Sequence, residues 1–158
     1  MTGTGEHSAV TSGRLPGPVL VVGAGLVGSS VGLALVRAGV DVFVSDADPT
    51  VAHVAASRGA GSDSPLSVQP AVVVVATPPD HLGAEIAVAL RTYPTAVVTD
   101  VGSVKAKPLA ELVDSGVELR RYVGGHPIAG SERSGPLAAA ADLFDGRAWA
   151  VVPRAGCS

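Results

Sequence analysis

Three short runs in this 158-residue chain have residue types and spacing that could do chemistry on a small molecule. The first is GAGLVG, Gly23 to Gly28, a GxGxxG run with an acidic residue, Asp46, about twenty positions further on. The second is DVGSVK, which carries Ser103, and the third is GGHPIAGSERSG, which sets His126 between two glycines and a proline. In the first run Gly23 permits a tight turn, Gly25 lets backbone approach a pyrophosphate, and Gly28 lets a helix pack closely on a strand. Leu26 and Val27 would open that helix, whose free N–H groups favour an anionic diphosphate. Asp46 is expected to accept hydrogen bonds from an adenosine ribose and to repel a 2′-phosphate, which favours NAD over NADP. Arg58, twelve residues later, could still admit a phosphate. The glycines could also be packing devices and Asp46 a turn residue.

The other two runs suit hydride transfer from an alcohol-bearing carbon. A neutral imidazole at His126 can accept the hydroxyl proton as hydride leaves, and imidazole's ordinary pKa of about 6.5 suits work near neutrality. Ser103 could orient that imidazole or the hydroxyl, and Thr77 and Pro78, in the turn TPPD, would lie along the cofactor. Alternatives stay open: His126 as a loop histidine bonded to backbone, Ser103 as a helix cap ahead of Lys105, Asp100 as a brace for its turn. His53 and His81 sit in or beside polar helix starts and read as surface residues; His7 lies in the N-terminal tail.

The elements that must position these groups alternate. PVLVV, Pro18 to Val22, reads as a strand buried on both faces, and Leu26 to Ala38 as a helix stopped by Gly39. VDVFVSD is a second strand, Pro49 opens a helix, and AVVVVA, Ala71 to Ala76, is a third strand. Leu82 to Arg91 then reads as a helix, TAVVTD as a strand, KPLAELVDSG as a helix and VELRRYV as a further strand. The histidine run follows as a loop, then an Ala-rich helical stretch near Leu137 to Leu143, and a last strand at AWAVV, Ala148 to Val152. Strands alternating with helices, without alternation of their own, predict an α/β fold of the Rossmann type: doubly wound, mainly parallel, with helices on both faces. Ligands of such sheets sit beyond the carboxyl ends of the strands, where all three runs fall.

The composition narrows the class. At this length one domain is expected, spanning 18 to 153, with a polar tail at 1 to 17 and a short C-terminal tail at 154 to 158. A net charge of −3 and scattered Lys and Arg argue against a nucleic-acid partner. Pro18, Gly23 and Gly25 interrupt the apolar stretch from Val19 to Val36, so no membrane span is expected. The tail lacks a secretory signal, and the single Cys157 builds neither a disulfide nor a metal site, so a cytoplasmic setting and no metal are expected.

VVGAGLVGSSVGLAL, VSDADP, VVVVATPP, DVGSVK, GGHPIAGSERSG and LFDGRAWAVVP occur in an order and spacing that resemble prephenate dehydrogenase of the tyrosine pathway, including forms acting on arogenate. The resemblance runs from about Pro18 to Pro153, and the second and third runs are its specific part. It implies NAD-dependent oxidative decarboxylation, with aromatisation of the ring as driving force. By matching positions it implies that His126 accepts the hydrogen bond of the substrate's 4-hydroxyl and assists proton removal, with Ser103 beside it in the relay. It places Ser131 and Glu132 on a substrate-side loop. Members of the family continue into a helical domain that forms a homodimer and supplies a cation for the substrate's carboxylates. This sequence stops at RAGCS, so that domain is expected to be absent, and neither Arg147 nor Arg154 is assigned the cation's part.

Overall fold

Short valine runs build the centre of the sheet. VLVV, VVVV and VVTD become β1 (Val19–Val22), β3 (Val72–Val75) and β4 (Val97–Asp100), where Val21, Val73, Val75 and Val98 are fully buried. β-branched side chains suit a pleated surface covered on both faces. The computed structural model describes residues 14–130 and 132–154. Most of the tail, with His7, and also Ser131 and Cys157 lie outside the described residues.

The other elements are α1 (Leu26–Arg37), β2 (Val42–Ser45), α2 (Pro49–Ser57), α3 (Pro79–Thr92), α4 (Ala106–Asp114), β5 (Tyr122–Pro127), a 3-10 turn at Pro136–Ala138, and β6 (Trp149–Val152). Strand order is β2-β1-β3-β4-β5-β6; the first five run parallel, and β6 pairs antiparallel with β5. Ser62 adds a one-residue parallel bridge to Phe43 on β2. One core packs β1, β3 and β4 against α3 and α4 through Leu82, Ile86, Leu90 and Leu112. The second packs β1, β2 and β3 against α1 and α2 through Val31, Ala55 and Ala60. Helices therefore cover both faces, as the doubly wound pattern requires. Chain order reverses between β1 and β3, and this switch point fixes where the carboxyl ends open into a crevice.

Three expectations need correction. VELRRYV is not the fifth strand: β5 begins at Tyr122 and takes in Gly124, Gly125 and His126, so the histidine stands in a strand rather than a loop. The cause is Arg121, whose guanidinium donates to the carbonyls of Leu90, Tyr93 and Ala96 at 2.8, 2.9 and 2.7 Å, pinning the preceding segment across the end of α3. The Ala-rich stretch is a 3-10 turn followed by turns, not a helix, because its backbone is tied to its neighbours. Ala140 N donates to Ser30 Oγ at 3.1 Å, and Arg58 Nη2 donates to the Ala139 carbonyl at 3.4 Å. Finally, α3 starts at Pro79, three residues before the expected Leu82, with proline in the helix's first turn. Among the described residues no helix is long and apolar enough to cross a membrane, and no group of three or more His, Cys, Asp or Glu could hold a metal ion.

Candidate active site

Between β1 and α1 the chain has little freedom. Gly23 has φ +96°, and a β-carbon there would stand 2.6 Å from the Ala76 carbonyl oxygen. A β-carbon at Gly28 would stand 1.9 Å from the Gly23 carbonyl oxygen, so α1 can lie this close to the turn only with glycine at that position. Gly25 differs: nothing lies within 4 Å of a β-carbon built on it. It is the N-cap of α1 and offers no side chain to the first-turn N–H groups, which leaves those donors to a ligand or water.

That open face belongs to a cavity of about 770 Å³. Gly23, Gly25, Leu26 and Val27 form one wall, with Asp46 and Ala47 at the end of β2 beside it. Asp46 accepts from Ala24 N at 2.8 Å through Oδ2 and from Asp48 N at 3.0 Å through Oδ1, so one carboxylate fixes both the glycine turn and the end of β2. Each oxygen keeps a further lone pair for a ribose hydroxyl. Thr77 and Pro78 lie on the opposite wall, where Thr77 Oγ1 is buried without a hydrogen-bond partner among the described residues. An orphaned hydroxyl, an uncapped helix start and a free acceptor site are what a bound dinucleotide would satisfy. Another cavity, about 520 Å³, lies between Leu20, Phe43, Tyr93 and the segment 63–69 and touches none of the three runs.

The second centre is built on Asp100, the last residue of β4 and fully buried. Its carboxylate accepts from Gly102 N at 2.9 Å, Tyr122 Oη at 2.8 Å and Gly125 N at 3.3 Å, and is paired with the Lys105 ammonium. Lys105 Nζ also donates to the Gly102 carbonyl at 2.7 Å. Burial first, and then the charge of Asp100, pushes the Tyr122 phenol well above its ordinary value, so it stays protonated and donates. One carboxylate thus ties the turn bearing Ser103 to the strand bearing His126. Gly125 makes this approach possible, since a β-carbon there would lie 2.5 Å from the Asp100 carbonyl oxygen.

Ser103 is exposed, and α4 is capped at Lys105 with no side-chain bond, so the serine hydroxyl is not spent on the helix. His126 is half-buried, pairs with Ala150 of β6, and its ring makes no hydrogen bond among the described residues. Beside it Trp149 packs on Phe144 with ring centroids 5.2 Å apart. Gly23, Gly25, Leu26, Val27, Asp46, Thr77 and Pro78 are brought together on one cavity, with Gly28 packed beneath it. Ser103 and His126 belong to adjoining segments outside that lining, Glu132 is exposed, and Ser131 is outside the described residues. Arg58 is turned to the Ala139 carbonyl and does not line the cavity. His81, exposed as expected, and Glu85 both line the cavity from α3, which the sequence reading does not foresee for either. Their signal was the four-residue spacing that puts both on the helix face following Thr77.

The family described as prephenate dehydrogenase, nucleotide-binding domain, matches residues 31–156. The chain is 42% identical over 139 residues to a Streptomyces niveus protein named "Probable prephenate dehydrogenase NovF", covering 87% of this chain and 38% of that one. Prephenate dehydrogenase from Aquifex aeolicus, solved in complex with hydroxyphenyl propionate and NAD+, superposes with a TM-score of 0.77 at 31% identity, covering 90% of this chain and 52% of the other. Synechocystis arogenate dehydrogenase gives 0.75 at 27% identity, covering 89% and 51%. The chain thus spans about two fifths to one half of the proteins it matches.

Proposed function

Because this chain belongs to the prephenate dehydrogenase family through its nucleotide-binding domain, we propose that it binds NAD and serves the oxidative decarboxylation of prephenate to 4-hydroxyphenylpyruvate, or of arogenate to tyrosine. One observation carries the reading: Asp100 joins the Ser103 turn to the His126 strand at the same sheet edge that the glycine-turn cavity borders. The α1 N-terminus and Gly25 receive the diphosphate, Asp46 the adenosine ribose, and Thr77 and Pro78 lie along the cofactor. NAD, when bound, supplies the hydride acceptor. His126 takes the proton of the substrate's 4-hydroxyl as hydride leaves that carbon. The ring carboxylate then departs as carbon dioxide, its electron pair completes the aromatic ring, and the proton returns to the oxygen as the phenol forms. Ser103 orients the hydroxyl and imidazole, while Ser131 and Glu132 stand on the substrate side.

A second reading, an NAD-binding module completed by other protein, is favoured by the edge strand β6, where Trp149, Val151 and Val152 are exposed. A single series separates the two. NAD is titrated, and nicotinamide reduction is followed with prephenate and with arogenate. The first reading expects turnover that His126→Asn lowers by about a hundredfold or more, with NAD affinity nearly intact. Equal loss of affinity and turnover would remove the role given to His126. Binding without turnover in the unaltered chain would leave the module.

A further inference from the structure

Glu85 is a carboxylate with no structural task in a cavity that already holds one. It is half-buried on the second turn of α3, and among the described residues it makes no hydrogen bond or ion pair. The other acidic residue of the same helix face region, Asp80, is paired with Lys107 at 3.1 Å. Among the described residues no Lys or Arg lines the cavity, and the cation raised by the sequence, Arg58, is held on the Ala139 carbonyl. The cavity therefore carries two carboxylates, Asp46 and Glu85, with His81 and the α1 N-terminus beside them but no Lys or Arg among the described residues to balance them.

We propose that Glu85 is a second cofactor-selecting residue, which together with Asp46 makes the cavity too negative for a 2′-phosphate and so excludes NADP. The inference rests on the reading of this cavity as the NAD site. A 2′-phosphate brings close to two negative charges at neutral pH. In a recess walled by protein on several sides, a carboxylate across the cavity is screened less than one in open water. Asp46 cannot carry the discrimination without also serving the backbone, because both its oxygens accept from Ala24 N and Asp48 N. Glu85 has no such bonds, so its charge acts on the ligand alone.

The test is binding, which needs no turnover. Dissociation constants for NAD and NADP are measured by calorimetry on the unaltered chain, on Glu85→Gln and on Glu85→Lys, at low and high salt. Glu85→Gln is expected to tighten NADP about tenfold while NAD changes about twofold or less, and Glu85→Lys to tighten NADP further. The unaltered chain's preference for NAD should shrink as salt rises. An NADP-to-NAD ratio equal in all three proteins overturns the inference and leaves the NAD site standing, and so does a preference of the unaltered chain for NADP. Failure of the unaltered chain to bind either dinucleotide overturns the reading of the cavity and the inference with it.

Discussion

The two ends of the site are made in different ways. At the nucleotide end, Gly23 to Gly28 and Asp46 belong to one β-α-β unit, and the glycine contacts are backbone against backbone. At the proposed chemical end, Ser103 and His126 come from separate units, and the backbone before each, at Gly102 and Gly125, is tied by a side chain, the buried carboxylate of Asp100. The nucleotide end sits over strands buried on both faces, whereas the chemical end borders β6, exposed along its whole length. A binding site made from backbone and local sequence tolerates change elsewhere. The proposed proton-transfer site, hung on one buried charge, is expected not to.

The comparison can be broken at either end. Gly28→Val should have the largest effect: a side chain 1.9 Å from the Gly23 carbonyl oxygen must push α1 off the turn. Overpacking of this kind costs about 3 kcal/mol or more, read from urea melts, and NAD binding should disappear with it. Asp100→Asn comes next. It removes the buried charge that pairs with the part-buried Lys105 ammonium, a change of about 3 kcal/mol, and should speed amide exchange at Gly102 and Gly125. NAD affinity should hold while turnover falls; equal losses would show that the two ends are not separable.

Tyr122→Phe should cost least, about 1 kcal/mol for its hydrogen bond to Asp100 at neutral pH. Because the folded phenol titrates above its unfolded value of about 10, its contribution is complete below that pH and is lost as pH rises above it. The stability gap between the unaltered chain and Tyr122→Phe should therefore narrow above pH 10. A gap that stays constant into strong alkali would mean that the phenol is not held protonated by its burial and by Asp100.

The same contrast decides what the sequence made legible. The GxGxxG run, Asp46 and the valine strands follow local rules, and their elements lie within a residue or two of expectation. The start of β5 is hard to read because Gly124 and Gly125 are poor strand residues by propensity, yet at Gly125 only glycine fits against the Asp100 carbonyl. Asp100 was foreseen as a possible brace, but its reach to Tyr122 and Gly125 spans more than twenty residues and is set by the β4–β5 pairing. His81 and Glu85 were hidden for a similar reason. A polar helix start looks solvated until the sheet order brings it across from β2's end.

The bonds of Asp46 also bear on how such a protein could change over evolutionary time. Replacing Asp46 to admit another cofactor would release Ala24 N and Asp48 N together, loosening the turn that every dinucleotide needs. A lineage drifting toward a phosphorylated cofactor would meet that obstacle at β2 and none at α3. On the proposal made for Glu85, its first accessible step would lie there, at a carboxylate that makes no hydrogen bond or ion pair among the described residues.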